Sequence, residues 1–355
     1  MTKSADRDRQ ITEAVEASFR SSRRDLPWRA ERSGYAALVS EAMLQQTQVA
    51  RVVEKYVEFM RRFPTVRALA EASEQAVLAA WQGLGYYGRA RRLQAAAREI
   101  VARHGGDVPR EVDALRALPG IGRYTAGAIA SIAFGARAPI VDTNVARVLM
   151  RLDARGGTAT SAENIAWTWT RAAELVAACH DPATFNEGLM ELGASTCAAA
   201  RPRCDRCPLA SVCAARKRGD ADAIPEAPRS PARRRVYHHS VVVLRGTMVL
   251  LVQRPERGLW ASMWQVPTIE ADERLASDDL RAALALPCSS WVPLEEFTHL
   301  TSHREVVFVC HRARTRVRAG TWVDADRLSE FPLSNPMRRI VAAALSSESH
   351  VAPIR

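Results

Sequence analysis

A group of four cysteines is the feature that most limits how this chain can fold. The segment CAAARPRCDRCPLASVC spans seventeen residues and spaces its thiols as C-x6-C-x2-C-x5-C, at Cys197, Cys204, Cys207 and Cys213. Four thiolates this close in sequence can enclose one compact cofactor, and an all-cysteine ligand set suits either zinc or a [4Fe–4S] cluster. Zinc sites more often contain two C-x2-C pairs, and this segment contains one. The spacing predicts that the chain folds around a metal cofactor here.

Composition narrows the class of protein. The 355 residues are enough for two or three domains, and 47% hydrophobic with 25% charged residues is ordinary for a globular chain. A net charge of +11 favours a polyanionic partner, with nucleic acid ahead of anionic membrane. The sequence contains neither an apolar run of about eighteen residues nor an apolar stretch at its N-terminus. We therefore expect a cytoplasmic protein without a membrane span or secretion signal, and with reduced cysteines.

The hydrophobic pattern changes its period along the chain. Up to Cys213 it is helical, with apolar residues at three- and four-residue spacing and breaks such as Phe63-Pro64 and Gly105-Gly106. Residues 216–235 are charged and contain prolines, which is typical of a linker.

Beyond the linker the pattern is β-rich. HHSVVVLRGTMVLLVQRP predicts a hairpin that turns at Arg245-Gly246, REVVFVCHRART predicts a further strand, and SNPMRRIVAAAL predicts a closing helix. The expected fold class is a mainly α N-terminal region followed by an α+β region.

The segment ALPGIGRYTAGAIA predicts a tight turn followed at once by a helix. Gly120 and Gly122 let the backbone approach a bound group closely, and the amides at the start of a helix favour an anion. Further on, PIVDTNVARVL places Asp142 just ahead of another helix, where aspartate is a good N-cap. Plain helix–helix turns have similar sequences, so this segment alone is a moderate signal for an anion site.

Together, the Gly-Ile-Gly turn, Asp142 and the cysteine spacing resemble the endonuclease III-type helix-hairpin-helix DNA glycosylases, over residues 25–213. The resemblance implies a six-helix barrel with an iron–sulfur subdomain, a [4Fe–4S] cluster on the four cysteines, and DNA phosphate as the anion at Gly120 and Gly122. It also implies that Asp142 stabilises the cationic sugar that forms as the base leaves, or adds to that sugar. Asn144 is then a neighbouring contact of the pocket or the sugar.

Tyr124 occupies the position at which strand-cutting relatives carry a lysine. A phenol cannot form the Schiff base that such a lysine forms, and no lysine lies between Lys55 and Lys217. The resemblance therefore implies a monofunctional glycosylase in which water completes the reaction. Tyrosine here is similar to MutY-type adenine glycosylases and to some thymine-mismatch glycosylases.

The segments LPWR and VSEAMLQQTQVARV look like the MutY type. That resemblance makes Glu41 the general acid, because loss of adenine is accelerated by protonating N7, which requires a carboxyl group of raised pKa. Gln46 and Tyr86 correspond to residues that wedge into the base stack when the adenine is extruded. Glu187, in FNEGLMELG, is the expected polar contact of the adenine, and Arg29 is a contact of the pocket or the sugar.

The C-terminal third is similar to the MutT-like domain of the same family in its segment VQRPERGLWASMWQVP. The glutamate-rich helix with which a working Nudix hydrolase binds magnesium is missing from the sequence after Gly258, so we expect the fold without the hydrolase. FTHL matches the family's recognition loop, which implies that Phe297, Thr298 and His299 contact 8-oxoguanine. The predicted domains are a glycosylase region (1–215) with its cluster loop (197–213), the linker (216–235) and a Nudix-like domain (236–345).

The expected activity is hydrolysis of the N-glycosidic bond of adenine opposite 8-oxoguanine or guanine in double-stranded DNA, by a monomer at the nucleoid. The alternative is a glycosylase of the same fold that acts on thymine or uracil, which QQTQ and the C-terminal domain disfavour. Glu41 and Asp142 argue against a DNA-binding iron–sulfur protein without catalysis. A Nudix nucleotide hydrolase lacks its metal-binding carboxylates.

Overall fold

The computed structural model describes residues 3–227 and 232–346. Within these residues no helix is both long enough and apolar enough to cross a membrane. The chain divides into two compact units, of which the first takes Met1–Ala72 and Arg92–Arg229 and the second takes Ser73–Arg91 and Ser230–Arg355.

The helical pattern predicted for the first two thirds of the chain is confirmed. The α-helices are, in chain order, α1 (Lys3–Ser22), α2 (Pro27–Ala30), α3 (Gly34–Leu44), α4 (Val49–Arg62), α5 (Val66–Glu71), α6 (Glu74–Ala80), α7 (Gly88–His104), α8 (Val112–Arg116), α9 (Arg123–Phe134), α10 (Thr143–Leu152), α11 (Ala162–Ala178), α12 (Pro182–Ser195), α13 (Ala214–Arg218), α14 (Ser277–Leu284) and α15 (Asn335–Ser346). Helices α4 and α7 end at the predicted Phe63-Pro64 and Gly105-Gly106 breaks, because proline removes a backbone donor and glycine adopts the left-handed conformation that ends a helix.

Apolar faces of α1, α10, α11 and α12 form a core of the first unit. Ile11, Leu149, Leu175 and Phe185 are completely buried there. Burial of aliphatic and aromatic side chains at about 25 cal/mol per Å² is the main force that holds these helices together. This core fixes the start of α10, where Asp142 lies, against α12, which carries Glu187.

Part of the predicted linker is folded. Helix α13 contains its first residues, and Ile224 is buried against Met150. Residues 228–231 of the linker lie outside the described ranges. The domain boundaries inferred from sequence stay predictions.

The second unit is built on a mixed sheet. Its strands are β1 (Arg234–Arg245), β2 (Met248–Gln253), β3 (Trp264–Gln265), β4 (Thr268–Ala271), β5 (Cys288–Pro293), β6 (Phe297–Leu300), β7 (Arg304–Thr315) and β8 (Thr321–Asp324). Strands β1 and β2 form the predicted antiparallel hairpin, and β1 runs parallel to β7 from Arg234↔Arg304 to Leu244↔Arg314. The predicted strand REVVFVCHRART is β7, and the predicted closing helix is α15.

The second unit also contains residues 73–91, which the sequence assigned to the glycosylase region. Trp264 Nε1 donates to Gln75 Oε1 (3.1 Å), and Gln82 Nε2 donates to the Leu333 carbonyl (3.3 Å). Such pairing between residues far apart in sequence has no local signal in either segment.

Candidate active site

Glu41 lies on α3 and is nearly inaccessible, with 5% of its surface exposed. Its Oε2 atom is buried and has no hydrogen-bond partner among the described residues. Burial raises the pKa of Glu41 to about 7; the Tyr124 hydroxyl lowers it in part, and the charges of Asp142 and Glu187 raise it further. A carboxyl group in this setting holds its proton close to neutral pH and can transfer it to a bound group.

Tyr124 is the second residue of α9 and faces the same carboxyl group. Its hydroxyl donates to Met190 Sδ over 3.3 Å. Burial, followed by the charges of Glu41 and Asp142, raises the pKa of Tyr124 well above its ordinary value. The side chain is therefore a neutral phenol that can donate a hydrogen bond but offers no nucleophilic amine.

Asp142 is the N-cap of α10, as predicted. Its Oδ1 accepts the Val145 amide (2.7 Å), and its Oδ2 accepts a hydrogen bond from Asn144 Nδ2 (3.0 Å). The carboxylate is thereby held by the start of its own helix. The structure brings Glu41, Tyr124, Asp142 and Asn144 into one site.

Arg147 supports this site and was not identified from the sequence. It donates through Nη2 to Asn144 Oδ1 (2.8 Å) and to the Gly193 carbonyl (2.8 Å), and through Nε to the Cys197 carbonyl (3.0 Å). A Cβ atom at Gly193 would lie 2.8 Å from the Asn144 Cβ, so only glycine permits this approach. The spacing of three residues between Asn144 and Arg147 on a helix was the available signal.

Glu187 is buried on α12 and binds two arginines. Its Oε1 pairs with Arg29 Nε (2.9 Å), and its Oε2 pairs with Arg32 Nη2 (2.6 Å). Arg29 also pairs with Glu191 Oε2 (3.1 Å). The structure brings Glu187 and Arg29 together as expected for one pocket. Arg32 and Glu191 were not identified from the sequence, although Glu191 lies four residues after Glu187 on the same helix.

The hairpin between α8 and α9 carries Gly120 and Gly122. Gly120 has a φ of 76°, and a Cβ there would lie 2.6 Å from the Arg92 Cβ, so the turn requires glycine. Gly122 is the N-cap of α9, has open space around its Cα and provides no side-chain cap. Since no side chain caps α9 in the described part of the chain, its first amides can donate to an external acceptor such as a DNA phosphate.

Gln46 and Tyr86 are both exposed and both have a left-handed backbone, with φ values of 53° and 48°. Non-glycine residues pay roughly 1–3 kcal/mol for such a conformation, and it persists where the surrounding structure enforces it. Around Tyr86, Trp81 Nε1 donates to the Gly85 carbonyl (3.1 Å), and the Arg89 amide donates to the Tyr86 carbonyl (2.8 Å). The Tyr86 hydroxyl lies 3.0 Å from the Ser302 hydroxyl, and the Arg89 guanidinium lies 5.6 Å from the centre of the Tyr86 ring.

The predicted recognition loop is a strand, which corrects that expectation. Residues 297–300 form β6, antiparallel to β7. Phe297 stacks on Phe308 with ring centroids 5.0 Å apart, and His299 packs near Trp260. Because side chains alternate along a strand, Thr298 and Leu300 face outwards, and Leu300 is 59% exposed. Thr298 is thus available to a ligand, and Phe297 is occupied by core packing.

The four clustered cysteines line a single pocket together with Arg151, Arg203 and Arg216. Burial raises the pKa of Cys207 to about 11; an amide hydrogen bond from Leu209 lowers it, and the charges of the other three cysteines raise it. Among the described residues no three His, Cys, Asp or Glu side chains are arranged to hold a single metal ion. The common pocket and the mutual effect of the thiols nevertheless fit a bulkier cofactor that these four cysteines would hold together.

Comparison with known proteins agrees with both halves of the structure. Residues 39–172 match the family model described as the HhH-GPD superfamily base excision DNA repair protein, and residues 239–343 match the NUDIX domain model. The chain is 39% identical to the adenine DNA glycosylase of Homo sapiens over 387 residues, covering 90% of this chain and 71% of the relative. It is 38% identical to the adenine DNA glycosylase of Mycobacterium tuberculosis, covering 74% of this chain and 86% of the relative.

A solved thermostable thymine-DNA glycosylase superposes with a TM-score of 0.55 at 27% identity, covering 61% of this chain and all of that protein. The helical part therefore has the fold of the endonuclease III-like glycosylases, and a Nudix-like domain follows it. Since relatives with more than two thirds of their length covered share 35% identity or more, the chain belongs to the adenine DNA glycosylase family.

Proposed function

We propose that this protein removes adenine from double-stranded DNA when the opposite base is 8-oxoguanine or guanine, and that it leaves the DNA strand intact. Membership of the adenine DNA glycosylase family supports the base and the reaction. The net charge of +11 and the uncapped start of α9 support a DNA backbone as partner. The enzyme acts as a monomer, and it acts at the nucleoid because its substrate is DNA.

The observation that carries this proposal is the buried Oε2 of Glu41, which has no hydrogen-bond partner in the described part of the chain, together with the pKa of about 7 of this carboxyl group. Adenine leaves as an anion unless it is protonated, and Glu41 is a buried acid that holds a proton near neutral pH. Transfer of this proton to N7 makes the base a neutral leaving group. The chemistry of general acids of this kind contributes about 10²–10⁴-fold in rate.

Asp142 supplies negative charge to the sugar as its C–N bond breaks. The hydrogen bonds from Val145 and Asn144 hold the carboxylate in place before the cation develops, so little reorganisation is needed. Tyr124 cannot form a Schiff base, so water adds to the sugar and the product is an abasic site in an uncut strand.

Recognition is divided between the two units. We propose that Gln46 and Tyr86 enter the stack beside the extruded adenine, that Glu187 and Arg29 shape its pocket, and that Gly120 and Gly122 hold a phosphate. Thr298, which faces outwards on β6, contacts the opposite base, while His299 and Phe297 pack on the other face of the strand and hold it in position. The proposed domain boundaries are 1–215 for catalysis and 236–345 for recognition, joined by residues 216–235.

A [4Fe–4S] cluster on Cys197, Cys204, Cys207 and Cys213 is the proposed cofactor. When bound, it provides a rigid centre around which the loop from residue 197 to residue 213 is ordered. The chemistry at the sugar remains with the side chains of Glu41, Tyr124 and Asp142.

One experiment separates the candidates. Single-turnover glycosylase assays use duplexes that differ only in the target pair: adenine opposite 8-oxoguanine, adenine opposite guanine, thymine opposite guanine and uracil opposite guanine. We expect base loss from the two adenine duplexes alone, with strand cleavage only after alkali. Excision from the thymine or uracil duplex with none from adenine would make the enzyme a pyrimidine-mismatch glycosylase, the alternative that the fold shared with a thymine-DNA glycosylase favours.

A further inference from the structure

Arg151 makes hydrogen bonds to several separate segments of the chain around the cysteine pocket. Its side chain is buried, with 2% of the residue exposed. It donates to the carbonyls of Ala198 (2.7 Å), Ala199 (2.9 Å) and Ile224 (2.7 Å), and Nη1 also lies 3.4 Å from Cys197 Sγ. On its other side, the Arg151 carbonyl accepts a hydrogen bond from Cys213 Sγ (3.4 Å). One residue therefore contacts the first and the last cysteine of the set.

The charge of Arg151 has no carboxylate partner among the described residues. Arg171, which is similarly buried, pairs instead with Asp8 (2.5 Å), Asp153 (2.9 Å) and Glu174 (3.0 Å). Backbone carbonyls satisfy the N–H groups of a guanidinium but do not neutralise its charge, and a buried unpaired cation is expensive. The groups beside Arg151 that become anionic on binding a metal cofactor are the cysteine thiols of its own pocket.

We propose that Arg151 is the internal counter-charge of the [4Fe–4S] cluster and the N–H donor to its Cys197 ligand, an inference that rests on the proposed cofactor. Two effects follow. The several N–H groups of the guanidinium, here called its fork, hydrogen-bond the carbonyls of residues 198, 199 and 224 beside the cluster. These bonds hold the surrounding backbone in place and slow the loss of iron. The buried positive charge stabilises the state of the cluster with one more electron, which raises the reduction potential.

The test compares the full-length variants Arg151→Gln and Arg151→Lys with wild type. Arg155→Gln is the matched control, because it removes the same charge from a position four residues after Arg151. The Arg155 side chain lies outside the cysteine pocket and contacts Glu163, Asn164 and Trp167 instead. Iron loss is followed as bleaching of the visible absorption with a chelator in excess, and the one-electron reduction potential is measured by voltammetry without DNA. Neither readout depends on glycosylase activity.

We expect Arg151→Gln to lose iron about tenfold or more faster than wild type and to show a lower potential, with Arg155→Gln unchanged. Arg151→Lys retains the charge but not the fork, so its iron loss should be faster while its potential stays near that of wild type. A glutamine variant with the wild-type potential and rate of iron loss overturns the proposal, as does an equal shift in Arg155→Gln.

If Arg151→Gln yields no folded protein, Arg151→Lys provides the test. Iron loss from Arg151→Lys at the wild-type rate would contradict the role of the fork. A wild-type protein that folds with zinc, or without metal, overturns the cofactor together with this inference. A wild type with four irons and an unaffected glutamine variant overturns the role of Arg151 alone.

Discussion

Asn144 Nδ2 donates a hydrogen bond of 3.0 Å to Asp142 Oδ2, while Asp142 Oδ1 caps α10 through the Val145 amide. The same carboxylate thus begins a helix and faces the buried acid Glu41. These two roles respond differently to substitution, because a helix cap requires a side-chain acceptor and charge stabilisation requires an anion.

Asp142→Asn separates the two roles. Asparagine caps helices about as well as aspartate, so the free energy of unfolding should stay within about 1 kcal/mol of wild type. Loss of the anion should lower single-turnover excision about 10²–10³-fold. Denaturant titration and excision kinetics on one preparation check this, with Asp142→Ala as the control that loses both roles. Near wild-type turnover of the asparagine variant would contradict the electrostatic role.

Glu41 predicts the pH dependence of catalysis. Since the acid form is required and the pKa is about 7, excision should be fastest below pH 7 and should fall as the pH rises above it. Glu41→Gln cannot deliver a proton, so excision should drop about 10²–10⁴-fold, with mismatch binding retained. A pH–rate profile on a pre-bound duplex tests the assignment. A flat profile across pH 6–8, a range of about one unit on either side of that pKa, would remove Glu41 from the role of acid.

Glu41 also predicts the pH dependence of stability. Its folded-state pKa of about 7 exceeds the ordinary 4.5, so between these values the native state binds more protons than the unfolded state. Stability therefore falls as pH rises from about 4.5 to 7, by up to about 3 kcal/mol for this group. Glu41→Gln should lose this component and be more stable than wild type at pH 8. Thermal unfolding of both proteins at pH 5 and pH 8 measures the difference, and parallel changes with pH would refute it.

Tyr124 predicts the product. Wild type should give an abasic site in an intact strand, and borohydride should trap no covalent adduct, because the phenol has no nucleophilic amine. Tyr124→Lys places an amine beside Asp142 and should produce trapped adduct on a gel. Tyr124→Phe is the control for loss of the hydroxyl. An adduct with wild type would show that another residue attacks the sugar.

Thr298 predicts the preference between opposite bases. The residue is exposed on β6, and one lost polar contact to a base should reduce the preference for 8-oxoguanine over guanine by about 1–3 kcal/mol, or roughly 5- to 150-fold. Thr298→Val with both duplexes at one salt concentration measures the ratio, and Thr321→Val on β8 is the control. Point variants are preferable to truncation, because residues 73–91 pack with the C-terminal residues. An unchanged ratio would show that Thr298 does not read the base.

The sequence was sufficient wherever structure or chemistry depends on residues close together in the chain. The Gly-Ile-Gly turn, the Asp142 cap and the Arg245-Gly246 hairpin are local patterns, and each element that they predict is present. The cysteine spacing is local too, and the [4Fe–4S] cofactor that it favours stays a proposal. Tyr124, where strand-cutting relatives carry a lysine, predicts a monofunctional enzyme from one position, and this stays a prediction.

Tertiary structure decided what depends on packing. It set the raised pKa of Glu41, which results from burial by residues of several helices, and it left the charge of Arg151 beside the thiols without a carboxylate among the described residues. It directed the Phe297 side chain towards the core and the Thr298 side chain outwards. It also placed residues 73–91 in the second unit. Desolvation and side-chain direction depend on every element around a group, and residues distant in sequence supply most of those elements.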